Sequence, residues 1–357
     1  MIASFNDAPA SIAKIDPRSG AIEVIATGDH IKDPWEVEVT PLGRIIVAEF
    51  VDHSIISIDP RTGAQTVVST EGGFRPVGVG LTADGKLIVS DSATPARVVS
   101  VNSSTGAITP ISTGGVLDDP SGIAVAPGGR IYLADEGDDP GVYAINAGTG
   151  AQTPVATTGV QDPFSVALGA NGRVLFADYN GFEPPENGAI FSVSPAGGPL
   201  TTISSGSLFG DPIGLARSFR GPLIVAEQDE PAPDGSIIKV NPGNGAQQTL
   251  ALASAAGLSA PGAVAVVPPR CFGRFATIVG SPKADQLRGT RFPDVIAGAG
   301  GNDRIKGLGR GDRLCGGKGR DRVLGGKGRD RLQGGPVATG CSAARAAIAF
   351  GGDRGAT

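Results

Sequence analysis

Short apolar runs separated by tight turns fill the chain up to about residue 270. The segment DPSGIAVAPGGRIYLADEGDDPGVYAINAGTGAQTPVATTG, which begins at Asp119, contains the runs IAVA, RIYLA, VYAIN and TPVA. These runs are short and lack the periodicity of an amphipathic helix, so they predict four antiparallel strands. Four strands in about 40 residues make one blade of a β-propeller.

The unit occurs five times in full, and a proline opens every copy. These prolines are Pro34, Pro76, Pro120, Pro163, Pro212 and Pro261. The sixth copy stops after one strand, APGAVAVVP, and the N-terminal segment IASFNDAPASIAKIDPRSGAIEVIAT matches the remainder of a unit. Pairing of these two segments removes the open sheet edges. The pattern predicts a six-bladed β-propeller over residues 1–269, with its ring closed by N- and C-terminal strands.

From Gly280 the period changes to nine residues, and six copies follow without a gap: GSPKADQLR, GTRFPDVIA, GAGGNDRIK, GLGRGDRLC, GGKGRDRVL and GGKGRDRLQ. Every copy opens with glycine. The sixth position is always aspartate, at Asp285, Asp294, Asp303, Asp312, Asp321 and Asp330. The eighth is always apolar, at Leu287, Ile296, Ile305, Leu314, Val323 and Leu332. A linker needs neither feature.

This array resembles the hemolysin-type, or RTX, repeat G-G-x-G-x-D-x-U-x, which implies a parallel β-roll that binds Ca²⁺ over residues 270–335. Two nonapeptides form one coil, so ligands stack eighteen residues apart. Asp303 over Asp321 and Asp312 over Asp330 are the strongest expected metal sites. Asp285 and Asp294 are weaker, because Lys283 and Phe292 replace the glycine at the fourth position of their copies, and Arg310 replaces it in the fourth copy. Residues 336–357 are expected to be a tail, a cap or a disordered segment.

The propeller blades, with ADEGDDPGVYAINAGTGAQT as an example, resemble the NHL and gluconolactonase-like six-bladed propellers. They also resemble virginiamycin B lyase, but that family has seven blades and its catalytic histidine motif has no evident match here. The resemblance implies a ligand site on the face around the central channel, and it allows a metal-dependent lactone hydrolase or lyase. No nucleophile paired with a base stands out in the sequence.

Acidic residues recur at that face. They are Asp33, Asp119, Asp162 and Asp211 before the opening prolines, and Glu49, Asp91, Asp135, Asp178 and Glu227 at the ends of the second strands. One interpretation is structural, with each carboxylate accepting backbone N–H bonds at a strand end. The other is a carboxylate ring that binds a divalent cation.

Two further residues are candidates for a catalytic role. Glu36 occupies a position that is small in the other blades, at Gly78, Gly122, Ser165, Gly214 and Ala263. A functional carboxylate and a residue that fills a gap in the channel are both open interpretations. His53 lies in a loop on the acidic face, where it is either a general base or simply solvated.

Composition and charge support the division of the chain into an all-β propeller and a separate β-roll. Gly 56 and Pro 28 among 357 residues favour an all-β protein. Residues 1–279 carry 15 Lys and Arg against 28 Asp and Glu, whereas residues 280–357 carry 15 against 7. The basic roll is expected to be either a solvated face or a surface for polyanions, and nucleic acid is not expected because no aromatic residues accompany the basic ones. No stretch reaches the ~18 apolar residues of a transmembrane segment.

The three cysteines, Cys271, Cys315 and Cys341, lack the spacing of a zinc site. In an exported protein, Cys271 and Cys315 are placed to tie the base of the roll to the end of the propeller. The RTX resemblance implies an extracellular protein. No signal peptide is visible, and Met1 lies at the edge of a predicted strand, so we expect the natural start to lie upstream.

The sequence thus predicts a secreted, bacterial calcium-binding protein whose propeller presents a face for an unknown ligand. The alternative is a metal-dependent hydrolase or lyase that uses Glu36 and neighbouring acids. An adhesion module that uses the basic roll is a third possibility.

Overall fold

The computed structural model describes residues 1–6, 9–82, 84–169, 172–179, 188–219, 221–228, 235–334 and 347–349. Within this part of the chain the protein is all-β apart from one short 3₁₀ turn at Ala253–Ala256. Six four-stranded antiparallel sheets form a propeller, and a parallel β-roll follows, as the sequence predicted.

The strands follow one another blade by blade. The chain begins with β1 (Ile2–Phe5), β2 (Ser11–Ile15) and β3 (Ile22–Thr27). Blade one contains β4 (Pro34–Val39), β5 (Ile45–Glu49), β6 (Ser54–Ile58) and β7 (Gln65–Thr70). Blade two contains β8 (Pro76–Leu81), β9 (Leu87–Asp91), β10 (Arg97–Val101) and β11 (Ile108–Thr113).

The next three blades have the same order. Blade three contains β12 (Pro120–Val125), β13 (Arg130–Asp135), β14 (Gly141–Asn146) and β15 (Gln152–Ala156). Blade four contains β16 (Pro163–Leu168), β17 (Val174–Asp178), β18 (Ala189–Val193) and β19 (Thr201–Ser205). Blade five contains β20 (Pro212–Arg217), β21 (Leu223–Glu227), β22 (Ser236–Val240) and β23 (Gln247–Leu252).

Blade six is shared between the two ends of the propeller. Its innermost strand is β24 (Pro261–Ala265), which pairs antiparallel with β1 so that Ala3 lies opposite Val264. β2 and β3 complete the sheet. The predicted closure is confirmed, and all six opening prolines begin innermost strands.

Each blade is packed on both faces by its neighbours, which explains why the strands read as nearly continuous apolar runs. All five residues of β5 are buried. Ile45 and Val47 belong to the core shared with blade six, whereas Ile46 and Ala48 belong to the core shared with blade two. Six such clusters lie between adjacent blades and close the ring.

The roll begins after a short hairpin, β25 (Arg270–Cys271) and β26 (Arg274–Phe275). One parallel sheet contains β27 (Ile278–Val279), β29 (Val295–Ala297), β31 (Arg313–Cys315) and β33 (Arg331–Gln333). The other contains β28 (Gln286–Arg288), β30 (Arg304–Gly309), β32 (Arg322–Lys327) and β34 (Ala347–Ala349). Ile296, Ile305, Leu314 and Val323 are buried between the sheets. Apart from β34, the predicted tail lies outside the described residues.

The roll covers the propeller face that carries the hairpins between the first and second strands of the blades. The Phe275 N–H donates to the carbonyl of Pro41 at 3.0 Å, and Arg217 Nη2 donates to the carbonyl of Val279 at 3.2 Å. A disulfide joins Cys271 to Cys315, with their Cα atoms 5.8 Å apart, as expected from the sequence. The opposite face of the propeller, with the acidic residues, points away from the roll.

Candidate functional sites

The acids at the ends of the second strands are structural. Glu49, for example, is buried and accepts the backbone N–H groups of Lys32 and Asp33 at 3.0 and 2.9 Å. The same arrangement recurs in blades two to five at Asp91, Asp135, Asp178 and Glu227. These five carboxylates therefore fix the loop that leads into each innermost strand.

Glu36 lies inside the channel, and a second glutamate accompanies it. Glu36 and Glu38 lie on the same side of β4 and line a cavity of about 420 Å³ between the innermost strands and the base of the roll. Burial, together with the nearby Glu38 carboxylate, raises the pKa of Glu36 to about 8, while burial raises that of Glu38 to about 7. Near neutral pH and without a bound cation, Glu36 is therefore mostly protonated and Glu38 is about half protonated.

Four aromatic rings cross the channel at the end away from the roll. We call Phe50, Trp35, Phe164 and Tyr179 the aromatic bar. Its ring centroids lie 5.2 Å apart between Trp35 and Phe50, 5.5 Å between Trp35 and Phe164, and 6.0 Å between Phe164 and Tyr179. Because blades one and four face each other across a six-bladed ring, the bar spans the channel.

Carboxylates surround the bar. The Tyr179 hydroxyl donates to Glu136 Oε2 at 2.6 Å. Burial, with added repulsion from Asp119 and Asp162, raises the pKa of Glu136 to about 7. Asp211 acts electrostatically on the same tyrosine. We call Asp33, Asp119, Glu136, Asp162 and Asp211 the acidic mouth.

His53, the remaining catalytic candidate of the propeller, lies away from the central cavity. His53 is exposed in the loop between β5 and β6 and is not among the residues that line the cavity. Within the described ranges, no three or more His, Cys, Asp and Glu side chains come together as a metal site. A site built largely from backbone carbonyls needs fewer such side chains.

In the roll, each aspartate is hydrogen-bonded to the aspartate one coil away. The backbone N–H groups of Asp285, Asp294, Asp303 and Asp312 donate to Oδ1 of Asp303, Asp312, Asp321 and Asp330 at 2.9–3.0 Å. The stacking expected from the eighteen-residue spacing is therefore present, with Asp303 over Asp321 and Asp312 over Asp330.

In three of these aspartates, the second carboxylate oxygen makes no hydrogen bond to a described residue. Oδ2 of Asp303, Asp312 and Asp321 is buried and has no hydrogen-bond partner among the described residues. Asp303 Oδ2 and the carbonyl oxygen of Gly316 both lie next to the Cα atom of Gly298, where the Cβ atom of any other residue would clash with them. A buried carboxylate oxygen beside a carbonyl oxygen is costly unless a cation binds there. This donor set suits Ca²⁺, which takes about six to eight oxygens.

Residues 279–314 and 307–336 match the family model described as the RTX calcium-binding nonapeptide repeat. The roll is made of RTX repeats. Repeats of this family bind calcium, and the donor atoms of the roll fit that ion. No curated protein sequence matches the chain.

Solved structures match the propeller at low sequence identity. One is a nidogen/laminin complex, with 14% identity, a TM-score of 0.60, and coverage of 73% of this chain and 95% of that chain. A putative TolB from Agrobacterium tumefaciens has 14% identity, a TM-score of 0.56, and coverage of 70% and 89%. A streptogramin B lyase has 15% identity, a TM-score of 0.51, and coverage of 68% and 76%. At this identity the likeness extends to the fold alone.

The first two RTX copies differ from the others at the second position. Ser281 donates its N–H and hydroxyl to Asp285 Oδ2 at 2.6 and 2.9 Å. Thr290 donates its N–H to Asp294 Oδ2 at 2.6 Å, and its hydroxyl contacts both carboxylate oxygens at 3.2 Å. In these two copies, Ser281 and Thr290 donate hydrogen bonds to the aspartate Oδ2 atom. The same atom has no hydrogen-bond partner among the described residues in copies three to five.

The backbone shows the same division. In copies three to six, the second and fourth residues have positive φ, at Ala299, Gly301, Leu308, Arg310, Gly317, Gly319, Gly326 and Gly328. Arg310 has φ 72° although it replaces a glycine, so the fourth copy keeps the turn of its neighbours. Lys283 and Phe292 at the fourth position of the first two copies are not among the positive-φ residues.

Two of these features, the second channel glutamate and the hydroxyl groups in the first two RTX copies, were not predicted from the sequence. Glu38 breaks the same small-residue rule as Glu36, since the equivalent residues are Gly80, Ala124, Ala167, Ala216 and Ala265. That signal was present in the alignment of the blades. The hydroxyls of Ser281 and Thr290 were also visible in the repeats, at the position that is Ala, Leu or Gly in the later copies.

Proposed function

We propose that the protein is secreted and binds Ca²⁺ through RTX copies three to six, with the propeller presenting a ligand site. The observation that carries the calcium sites is the set of buried, unpartnered Oδ2 atoms of Asp303, Asp312 and Asp321. Asp330 belongs with them because its Oδ2 takes the same position beside Gly325. Asp285 and Asp294 are not proposed as strong sites, since Ser281 and Thr290 already satisfy them.

Calcium would act here as a structural ion. In the calcium-free chain, burial and neighbouring carboxylates raise the pKa of Asp303 and of Asp312 to about 7. A bound cation would offset this repulsion and join successive coils. Because folding and metal binding are coupled, the roll would be most stable where calcium is abundant. RTX repeats are typical of secreted proteins, which supports an extracellular location, where calcium-binding modules work at about 10⁻⁴ to 10⁻³ M calcium.

A calcium titration of the full-length protein tests the proposal. Asp303→Asn and Asp321→Asn should each reduce the number of ions bound, measured by calorimetry and by equilibrium dialysis. The matched control is Asp285→Asn, which removes a carboxylate that is already hydrogen-bonded and should leave the stoichiometry unchanged. Unchanged calcium uptake in both Asp303→Asn and Asp321→Asn would overturn the assignment.

The alternative of a metal-dependent hydrolase or lyase stays a prediction. Five of the nine acids named for that site, including Glu49 and Asp135, accept backbone N–H bonds and are committed to the loops. The solved structures show a shared fold, which hosts many activities. Glu36 and Glu38 remain the carboxylates best placed to meet a ligand.

The basic roll supports one further proposal about partners. Arg304 and Arg322 stack on one parallel sheet, while Arg313 and Arg331 stack on the other. Arg304, Arg322 and Arg331 are exposed. Such ladders of positive charge suit a polyanion such as a cell-wall polymer. Retention on an anionic resin that does not change in Arg304→Gln/Arg322→Gln would argue against this partner.

A further inference from the structure

The central cavity of the propeller has mostly apolar walls and a floor made by the roll. Val37, Val79, Ile123, Val166, Leu215 and Val264 contribute from the six innermost strands. Ile278 and Leu287 of the roll lie at the opposite end. Arg217 also lines the cavity there, but its guanidinium donates to the carbonyl of Val279 and interacts with Asp285. The cavity is about 420 Å³, large enough for a small organic molecule.

Two carboxyl groups break the apolar lining. Glu36 Oε1 accepts the N–H of Val37 at 3.1 Å, and Glu38 Oε1 accepts the N–H of Val39 at 2.7 Å. The described residues supply neither glutamate with a second hydrogen bond or an ion pair. One blade therefore places two carboxyl groups where the other five have Gly, Ala or Ser. Burying such groups is costly for folding, and the fold does not require them.

The entrance to the cavity, like the two glutamates inside it, favours positively charged molecules. The aromatic bar crosses the channel next to Glu36, and the acidic mouth surrounds it. Aromatic faces attract cations, and the Arg75 guanidinium already lies 5.3 Å from the centroid of Phe50. A mouth rich in carboxylates attracts cations and repels anions before they reach the cavity.

We propose that the central cavity binds a protonated amine with an apolar body, held by the carboxylates of Glu36 and Glu38. This inference rests on the proposed ligand site of the propeller and names its ligand class. The apolar walls take the hydrocarbon part. The positive charge of the ammonium favours the ionised form of both glutamates, so the two carboxyl groups release their protons as the amine binds, and the ammonium donates to their free oxygens. A divalent ion would find two carboxylates and no third acidic or histidine side chain within the described residues.

Benzylammonium and benzyl alcohol form a matched pair of probes, because they share size and shape and differ in charge. Full-length protein in millimolar calcium is titrated with each by calorimetry. The fluorescence of Trp35, the only tryptophan in the chain, reports events next to the cavity. A hydrogen bond to a charged group contributes about 1.5–3 kcal/mol, so the amine should bind about tenfold or more tightly than the alcohol.

Variants test the two glutamates. Glu36→Gln and Glu38→Gln should each weaken amine binding by about tenfold and leave alcohol binding nearly unchanged. Glu23→Gln, which changes an exposed side chain on the outermost strand β3, is the matched control and should bind the amine as the parent does. The comparison of amine with alcohol in the parent protein needs no variant, so the test survives if a variant fails to fold.

The outcomes separate this inference from the proposed function. Equal binding of amine and alcohol, or no binding of the amine, overturns the amine site. So does amine binding that is unchanged in both Glu36→Gln and Glu38→Gln. Calcium uptake is measured on the same samples, and its loss or retention concerns the RTX roll alone. A neutral molecule that binds independently of both glutamates would keep the propeller a ligand-binding module and would overturn the amine as its ligand.

Discussion

The indole of Trp35 meets the ring of Phe164 across the propeller axis, with 5.5 Å between their centroids. The two residues follow the opening prolines of opposite blades, where the other blades have Val77, Ser121, Ile213 and Gly262. Large side chains at two facing positions narrow the channel at one end, while the roll covers the other. The cavity with Glu36 and Glu38 lies between these two ends.

Removal of one ring from this pair should change the rate at which a ligand enters. We expect Phe164→Ala to raise the association rate of benzylammonium by about threefold or more, since it widens the entrance and leaves both glutamates in place. Stopped-flow measurement of Trp35 fluorescence gives the rate. Phe272→Ala, at an exposed position on the roll hairpin, is the control. An association rate that is equal in both variants would mean that entry does not pass the aromatic bar.

Calcium affinity should depend on pH. The pKa of Asp303 and of Asp312 is raised to about 7 in the calcium-free chain, first by burial and then by neighbouring carboxylates. Calcium needs the ionised form, so protons compete with it below about pH 7, and binding releases protons. We expect the apparent affinity to fall by up to about tenfold per protonated group for each pH unit below 7.

Calorimetry at pH 6, 7 and 8 in buffers of different ionisation enthalpy measures both the affinity and the number of protons released. The control is Glu23→Gln, at an exposed position on β3 of the propeller, which should show the same pH dependence as the parent. An affinity that is constant over this range would contradict the burial of the Asp303 and Asp312 carboxylates.

The propeller and the position of its closure were predictable because each blade buries both faces, which makes the apolar runs repeat with the blade. The stacking of the RTX aspartates followed from the nine-residue period. The position of the roll was not predictable, because it depends on contacts such as Phe275 with Pro41, which link distant segments and leave no periodic pattern. Likewise, the meeting of Trp35 with Phe164 depends on the number of blades and on the direction of two single side chains.

The hydroxyl of Thr290 should stabilise the base of the roll without calcium. In Thr290→Val the side chain keeps its shape, but Asp294 loses the hydroxyl contacts at 3.2 Å. We expect the free energy of unfolding to fall by about 1–2 kcal/mol in calcium-free buffer, because a buried carboxylate loses a partner. Urea denaturation followed by circular dichroism measures the change. Thr66→Val, at an exposed position on β7, is the control. A loss of equal size in both variants would point to a general effect of the substitution.

Glu36 should make the stability of the propeller depend on pH. Its pKa is about 8 in the folded protein because of burial and the neighbouring Glu38, against an ordinary value of 4.5. Between these values the folded chain keeps a proton that the unfolded chain has released, so unfolding releases a proton and stability falls as the pH rises. One such group changes the free energy of unfolding by at most about 1.4 kcal/mol per pH unit, and by less here because the side chain is partly exposed to the channel.

Glu36→Gln removes this ionisation and keeps the size of the side chain. The variant should therefore gain stability relative to the parent, with a gain that grows from about pH 4.5 to pH 8 and is constant above it. A smaller slope should remain, because Glu38, whose pKa is about 7, still titrates. Urea denaturation at four pH values in this range, with Glu23→Gln as control, measures the difference. A gain that does not change with pH would mean that Glu36 is ionised in the folded protein, and its carboxylate would then have a cationic partner in the cavity.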